Sequence, residues 1–442
     1  MGLILLGGAL AAAGLFVLTR RLVSERWAWV ASLAFLLSPM VYWQMSTSGS
    51  PDIWIAFYVT LVVLAAGRGI ESRQKHWWYL AGVFAGAAAG VKYTSWVVPA
   101  LLFFCCLIST RSLRQSVLCG VCSLFAGCLP LVRNAWWTGD PLFPFLTRWV
   151  NPGQLNPYAL KDILGGLTPP DTSHTLIGLI RYPLLFSVAG DAYGGFGRWF
   201  GPLVIALAPL LFFVIWTRKG FLWGVSGAMW AAILVTNEFT AQQPRYLLSA
   251  FPLAIALIFA GAAEAAKRKW RIVHGAAICS IVLFLIFGAS SEAVYARDFL
   301  PVIVGRESRE GFLMRMAPDY PAVAFVNRSL SGLSGKAMVF LQFVYYLRVP
   351  FEIGSPGESW LVNPDKLSDA DSLEQFLSQR GIRWVVKSPD YPQPLEKAFE
   401  KLEDEGKLRP VFAGDASTFS NFRMYGDRTQ IKVEILEVIP GP

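Results

Sequence analysis

Charge is what this chain has least of. Of its 442 residues only 16% are Asp, Glu, Lys or Arg, and 54% are hydrophobic. That balance excludes an ordinary soluble globular protein and indicates an integral membrane protein. Histidine is scarce: His76, His174 and His274 are scattered along the chain. There is no H-E-x-x-H pair, no Walker loop and no dinucleotide fingerprint, so nothing supports ATP-driven transport. All six cysteines (Cys105, Cys106, Cys119, Cys122, Cys128 and Cys279) fall inside apolar segments, so no disulfide framework is implied. Cys119 and Cys122 form a C-x-x-C within one such segment, where small apolar packing explains them better than redox or metal chemistry. There is no internal repeat and no low-complexity tract. The net charge of +9 does not indicate a nucleic-acid partner, because most of the excess sits in short loops that set membrane topology and meet anionic lipid.

What the chain has in abundance is long apolar runs. Spans are expected near 2–19, 27–45, 53–67, 77–90, 94–108, 116–132, 201–217, 221–236, 246–265 and 272–290. Alternate connections are basic: Arg20, Arg21 and Arg26; Arg68, Arg73 and Lys75; Arg111 and Arg114; Arg218 and Lys219; Lys267 to Arg271. Cationic loops stay cytoplasmic, so the other connections face outward. Residues 1–19 lack a basic start and their charges follow the apolar run, so this run reads as a span with its N-terminus outside rather than a cleaved signal. The expected fold is an α-helical polytopic domain over 1–291 with about ten spans. It would carry a long outer loop at 133–200, within which 174–190 lies at the membrane interface. Residues 292–442 change in composition. Strand-like runs (Ala337 to Phe343, Arg383 to Val386, Ile431 to Ile435) alternate with polar helical stretches at 372–380 and 394–405. They predict a small α/β domain, extracytoplasmic by parity, on a multi-pass protein of the inner (plasma) membrane.

The outward connections hold the candidate chemistry. Asp52 follows Ser46–Pro51 and opens a span; a carboxylate there suits a helix cap and also a site. Lys92 sits at the tip of the 77–108 hairpin and suits either a phosphate or simple snorkelling. Arg133, Asn134 and Asp140 lie beside Trp136, Trp137 and Phe143, a mixture that fits sugar binding or an interfacial aromatic belt. Arg245 heads a span, suited to a phosphate and equally to an ion pair with Glu238. Asp191 and Arg198 flank a Gly-rich turn, and Asn327-Arg328-Ser329 fits the N-glycosylation pattern.

Several of these stretches, in order, carry a resemblance. Ser50-Pro51-Asp52-Ile53 precedes Gly86 to Thr94 by about forty residues. Then come Pro130 to Asn134, Thr138 to Pro141 with Pro144, Pro244 to Leu248 with Phe251-Pro252, and Ser308 to Pro321. Together they resemble the polytopic GT-C glycosyltransferases, nearest to bacterial relatives of the protein O-mannosyltransferases (family 39) and to the lipid A aminoarabinose transferase. The resemblance implies an enzyme that moves a sugar from a polyprenyl phosphate to a glycan, lipid or protein acceptor at the outer face. It implies Lys92 and Arg245 on the donor phosphate and Arg133, Asn134, Asp140 and Glu238 toward sugar and acceptor; Asp52, the candidate catalytic residue, would position the acceptor or donor. It leaves the need for a divalent metal undecided. In the family the base lies in the first outer loop. Here the first span resembles the family's second, so the expectation is a form lacking that loop and transferring little. The rival expectations are a lipid-linked-sugar flippase or binding scaffold without catalysis, and a surface-polysaccharide polymerase or ligase.

Overall fold

The break after Leu36 shows how this sequence builds its helices. Helix α1 (Gly2–Leu22) is apolar until Arg20-Arg21, and α2 (Glu25–Leu36) follows after a short turn. Pro39 cannot continue α2 and instead opens α3 (Pro39–Trp43) at its first position. The two axes meet at 58°. Helix α3 passes into a π-turn (Gln44–Ser48), and Ser50-Pro51 then lead into α4 (Asp52–Ser72). Next come α5 (Lys75–Val91), a 3-10 turn (Tyr93–Trp96), α6 (Val97–Thr110), α7 (Leu113–Gly127) and α8 (Leu129–Thr138). Helices α7 and α8 are bent by 55° beside Pro130. After the long connection run α9 (Phe251–Lys267) and α10 (Arg271–Arg297).

This computed structural model describes residues 2–48, 50–150, 156–159, 185, 187–188, 199–210, 224, 226–227, 230–231, 234, 244–317, 319–341, 344–355, 359, 362–388, 393–419 and 428–439. The chain divides into two units: Met1–Trp137 with Leu167–Asp298, and Thr138–Gly166 with Phe299–Pro442.

The first unit is a helical bundle. Among the described residues, four helical stretches are long and apolar enough to cross a membrane: Gly2–Leu22, Asp52–Ser72, Tyr93–Thr110 and Arg271–Arg297. Counting each bent pair as one span makes six. Helices α5 and α9 match two more of the ten expected spans but are 17 residues each, or roughly 25 Å at 1.5 Å per residue. Helix α9 is buried along nearly its whole length, so protein rather than lipid surrounds it. Most of the spans expected at 201–217 and 221–236, and most of the interfacial helix expected at 174–190, lie outside the described residues.

Basic side chains gather at one end of this bundle. The Arg21 guanidinium donates to Glu71, tying the end of α1 to the end of α4, and Trp27 meets His274 edge-on at 6.2 Å. At the other end Tyr42 meets Tyr295 edge-on at 5.2 Å, and α4 and α5 place Asp52 beside Lys92. Glycines bring the helices between these ends close together. A Cβ on Gly82 would lie 2.5 Å from the Cys119 carbonyl oxygen, and one on Gly127 would lie 2.7 Å from that of Gly86. A Cβ on Gly86 would collide with the carbonyl oxygen of Ser123. Small residues allow such backbone approach where apolar burial gives no advantage over lipid. Cys119 belongs to the same crossing, its thiol donating to the Trp78 carbonyl, and all six cysteines are free.

The second unit holds a five-stranded sheet in the order β2-β1-β3-β5-β4, from β1 (Lys336–Val339), β2 (Phe351–Ile353), β3 (Ile382–Lys387), β4 (Leu408–Phe419) and β5 (Arg428–Val438). Strand β1 runs parallel to β2 and β3, while β5 is antiparallel to β3 and β4. Alternate residues face opposite ways, so Met338 and Val385 pack with Leu373, Leu377 and Phe399, while Ala337, Val339 and Trp384 pack with Val323 and Val326. Two helices (Ala370–Gln379 and Gln393–Asp404) thus cover one face and a third (Tyr320–Ser329) covers the other. The expected strand and helix stretches correspond to β1, β3, β5 and the two helices of the first face. The division differs from the expected 291/292 boundary. Helix α10 runs on to Arg297, and Thr138–Gly166, expected as part of the first domain's outer loop, belongs to the second unit. The physical reason is polar anchoring. The Asn156 amide donates to the carbonyls of Ser359 (2.9 Å) and Val362 (2.5 Å), and the Tyr158 hydroxyl donates to Asp365 at 2.9 Å.

The α5–α7 crossing yields a direct test. Replacing Gly86 by Val forces apart two backbones in contact, and overpacking costs about 1–3 kcal/mol. Gly86→Val should therefore lower the thermal midpoint in detergent well below that of Ala87→Val at the neighbouring position. Equal midpoints would show that the crossing is slack.

Candidate functional site

Asp52 is the first residue of α4 and is only 2% exposed. An isolated carboxylate so deeply buried would be costly, and both of its oxygens are engaged. Oδ1 accepts a hydrogen bond from Lys92 Nζ at 2.9 Å, and Oδ2 accepts one from the Ser50 hydroxyl. Lys92 reaches it because the chain leaves α5 in an extended conformation (φ −159°, ψ 142°) before turning into the 3-10 turn. The same ammonium lies 3.7 Å from the centroid of the Tyr246 ring. The Arg245 guanidinium carbon stands 5.5 Å from that ring's centroid, and its buried Nε has no hydrogen-bond partner among the described residues. Two cations therefore share one aromatic ring, and one carboxylate balances only the lysine. An ammonium has three N–H donors, so Lys92 can hold Asp52 and still donate to a ligand.

Close by in sequence, the Asn134 amide donates to the Tyr93 hydroxyl at 2.5 Å, and Arg133 donates to the Asn134 carbonyl oxygen from Nε at 3.4 Å and from its terminal nitrogen at 3.3 Å. The Arg133 guanidinium also lies 5.6 Å from the Trp137 ring centroid. Arg133 and Asn134 thus form a polar knot around Tyr93, the residue after Lys92. The exposed Trp136 and Trp137 rings fit an interfacial belt.

Asp140 is organised differently. It belongs to the second unit, is fully buried, and turns its carboxylate onto its own loop. It accepts from the Leu142 amide (2.7 Å), the Leu146 amide (3.2 Å) and the Thr147 hydroxyl (2.7 Å). This is how an Asp shapes a turn. It leaves the carboxylate little capacity for the sugar contact expected from the sequence. Asn327 is likewise taken up by its own loop. Its amide donates to the Tyr346 carbonyl and its oxygen accepts from the Arg348 amide. Glu238, Asp191 and Arg198 lie outside the described residues. Among the described residues no group of three or more His, Cys, Asp or Glu is arranged to hold a metal ion.

Tyr246 and Ser50 entered the sequence reading only within motifs and not as site residues, although each lies within two positions of a residue that did. That reading also passed over Glu292 as a functional group. Glu292 is the one acidic residue of α10 and has a buried Oε1 without a hydrogen-bond partner. An acid inside a long apolar helix was the signal that marked it.

With this geometry in view, known proteins supply a frame. Residues 3–137 match a family model described as dolichyl-phosphate-mannose-protein mannosyltransferase. The fold is similar to that of ArnT from Cupriavidus metallidurans in two crystal structures. One is bound to undecaprenyl phosphate (TM-score 0.56, 15% identity, 98% of this chain and 83% of that one), and the other is in the apo state (TM-score 0.58, 17% identity, 99% and 84%). No curated protein matches the chain. The chain resembles the GT-C glycosyltransferases, in sequence over its first helices and in fold over nearly its whole length.

The Asp52–Lys92 pair can be tested by itself. Removing one partner leaves the other charge uncompensated, so Asp52→Asn and Lys92→Met should each destabilise the folded protein, and the double variant should recover part of the loss. A double-mutant cycle from thermal melts in nanodiscs should give a coupling of about 0.5–3 kcal/mol. Additive losses would show that the pair is not a unit.

Proposed function

We propose that this protein is a membrane glycosyltransferase that moves a sugar from a polyprenyl-phosphate donor to an acceptor at the outer face of the membrane. The observation that carries this reading is the cationic pair Lys92 and Arg245 around Tyr246, at the end of the bundle opposite its basic loops. A pair carried at the ends of apolar helices suits the phosphate of a lipid-borne donor, which sits at the membrane boundary. In sugar transfer from such a donor the phosphate is the leaving group, and preorganised cations stabilise the charge that develops on it. Asp52 then serves as the anchor that fixes the Lys92 ammonium, since both of its own oxygens are taken. Arg133 and Asn134 brace Tyr93 and so steady the turn that carries the lysine. The resemblance to a protein bound to undecaprenyl phosphate supports the same lipid as partner here. The short basic loops of the bundle support an orientation with this site and the second unit outside the cytoplasm.

The test is binding of undecaprenyl phosphate to the full chain in nanodiscs. Lys92→Met should weaken it by about 1.5–3 kcal/mol, the range for hydrogen bonds to charged groups, and Arg245→Met should act in the same direction. Gln115→Leu, at the start of α7, should leave binding unchanged. Equal affinity in the wild type and Lys92→Met would return the lysine to a snorkelling role and withdraw the phosphate site.

A further inference from the structure

Among the described residues of the first unit, one carboxylate has no cation beside it. The unit's described acids are Glu25, Asp52, Glu71, Glu264, Glu292 and Asp298. Glu25 meets Arg20, Asp52 meets Lys92, Glu71 meets Arg21 and Arg68, Glu264 meets Arg268, and Asp298 meets Arg297. Glu292 alone has no ion-pair partner among the described residues, and its buried Oε1 accepts no hydrogen bond. A half-buried charge without a partner is costly in an apolar bundle, so its presence there calls for a function.

Its position follows from three contacts along α10. His274 stands beside Trp27 near the start of α2. Gly288 packs on the backbone of Leu37 at the end of α2, where any side chain would collide with the Leu37 carbonyl. Tyr295 meets Tyr42 of α3. Helix α10 therefore runs in the same direction as α2 and α3. Gly288, Glu292 and Tyr295 are spaced four and three apart, on one face of the helix, so Glu292 is turned toward α3. Tyr42 lies within its electrostatic reach. From Tyr42 the chain passes through the π-turn directly to Ser50 and Asp52. Glu292 thus stands at the same end of the bundle as the Lys92 and Arg245 cations.

A carboxylate can only accept hydrogen bonds, and a phosphate would be repelled by it. The group that suits it is a hydroxyl with a proton to give. We propose that Glu292 receives the nucleophilic hydroxyl of the sugar acceptor and takes its proton. This rests on the transferase reading above. As the proton moves to Glu292, the acceptor oxygen bonds to the anomeric carbon of the sugar. The bond from that carbon to the phosphate oxygen breaks, and its electron pair leaves on the lipid phosphate held by Lys92 and Arg245. Asp52 is poorly placed for this role because both of its oxygens are already engaged.

The experiment has two arms on the full-length protein. In the first, a strain of the native host lacking this gene is labelled with radioactive glucose and complemented with variants, and turnover of its polyprenyl-phosphate sugar pool is followed. The deletion strain should accumulate lipid-linked sugar and the wild type should clear it. Glu292→Gln should clear it about 10²–10⁴-fold more slowly, the usual contribution of a general base, and Glu292→Asp should recover part of the rate. In the second arm, purified Glu292→Gln should bind undecaprenyl phosphate within twofold of the wild type, with an equal or higher thermal midpoint, because only an unpaired charge has been removed. Wild-type turnover in Glu292→Gln overturns the proposal. Joint loss of lipid binding and thermal stability also overturns it, by showing a structural role. If the wild type binds undecaprenyl phosphate but the deletion strain accumulates nothing, then the transfer reading and this proposal both fall while the phosphate site stands. If the wild type binds no undecaprenyl phosphate, the phosphate site falls with them.

Discussion

A carboxylate sealed into an apolar bundle must be neutralised, and the arrangement of this site depends on how Asp52 meets that demand. The Asp52–Lys92 hydrogen bond joins the first residue of α4 to the residue just past the end of α5. In doing so it fixes where the lysine ammonium sits, and that ammonium lies over Tyr246, beside Arg245. Without Asp52 a lysine in this position would extend toward water. With it, a positive centre is held in place, which is what the proposed stabilisation of a leaving group requires.

The close crossings of glycine-bearing helices serve the same end. Between apolar helices in lipid there is little hydrophobic gain, so geometry comes from backbone contact and hydrogen bonds. Gly82, Gly86 and Gly127 bring α5 against α7, and Gly288 brings α10 against the break after α2. The first crossing fixes α5, the helix that Lys92 follows, against α7, and the second turns Glu292 toward α3. The small-residue stretch from Gly86 to Gly90, which the sequence presents as a family-like motif, therefore begins as a packing surface and leads into the candidate Lys92.

Much of this was legible in the residues. The poverty of charge and the long apolar runs specify helices in a membrane, and the strand-like stretches after 330 mark a sheet, because both signals are local and periodic. Asp52, Lys92 and Arg245 stood out as polar groups where apolar ones predominate. The division of the chain was less legible. The segment 138–166 joins the second unit through a few side-chain hydrogen bonds of Asn156 and Tyr158 to residues about 200 positions away, and no local pattern encodes those partners.

By itself, then, the sequence determined the class of molecule, the element types and which polar residues were candidates, since each depends on composition or on neighbours within a turn or two. Only the tertiary structure decided what each candidate touches. Asp52, a candidate catalytic residue from the sequence, is held by Lys92, forty positions later, which folds back onto it. Asp140 has the same side chain but closes a loop of its own, because the Leu142, Leu146 and Thr147 donors surround it. Glu292, expected to open the C-terminal domain, lies within α10 and has no ion-pair partner among the described residues. Whether a charge is paired depends on which helices lie beside it, and that is settled by packing.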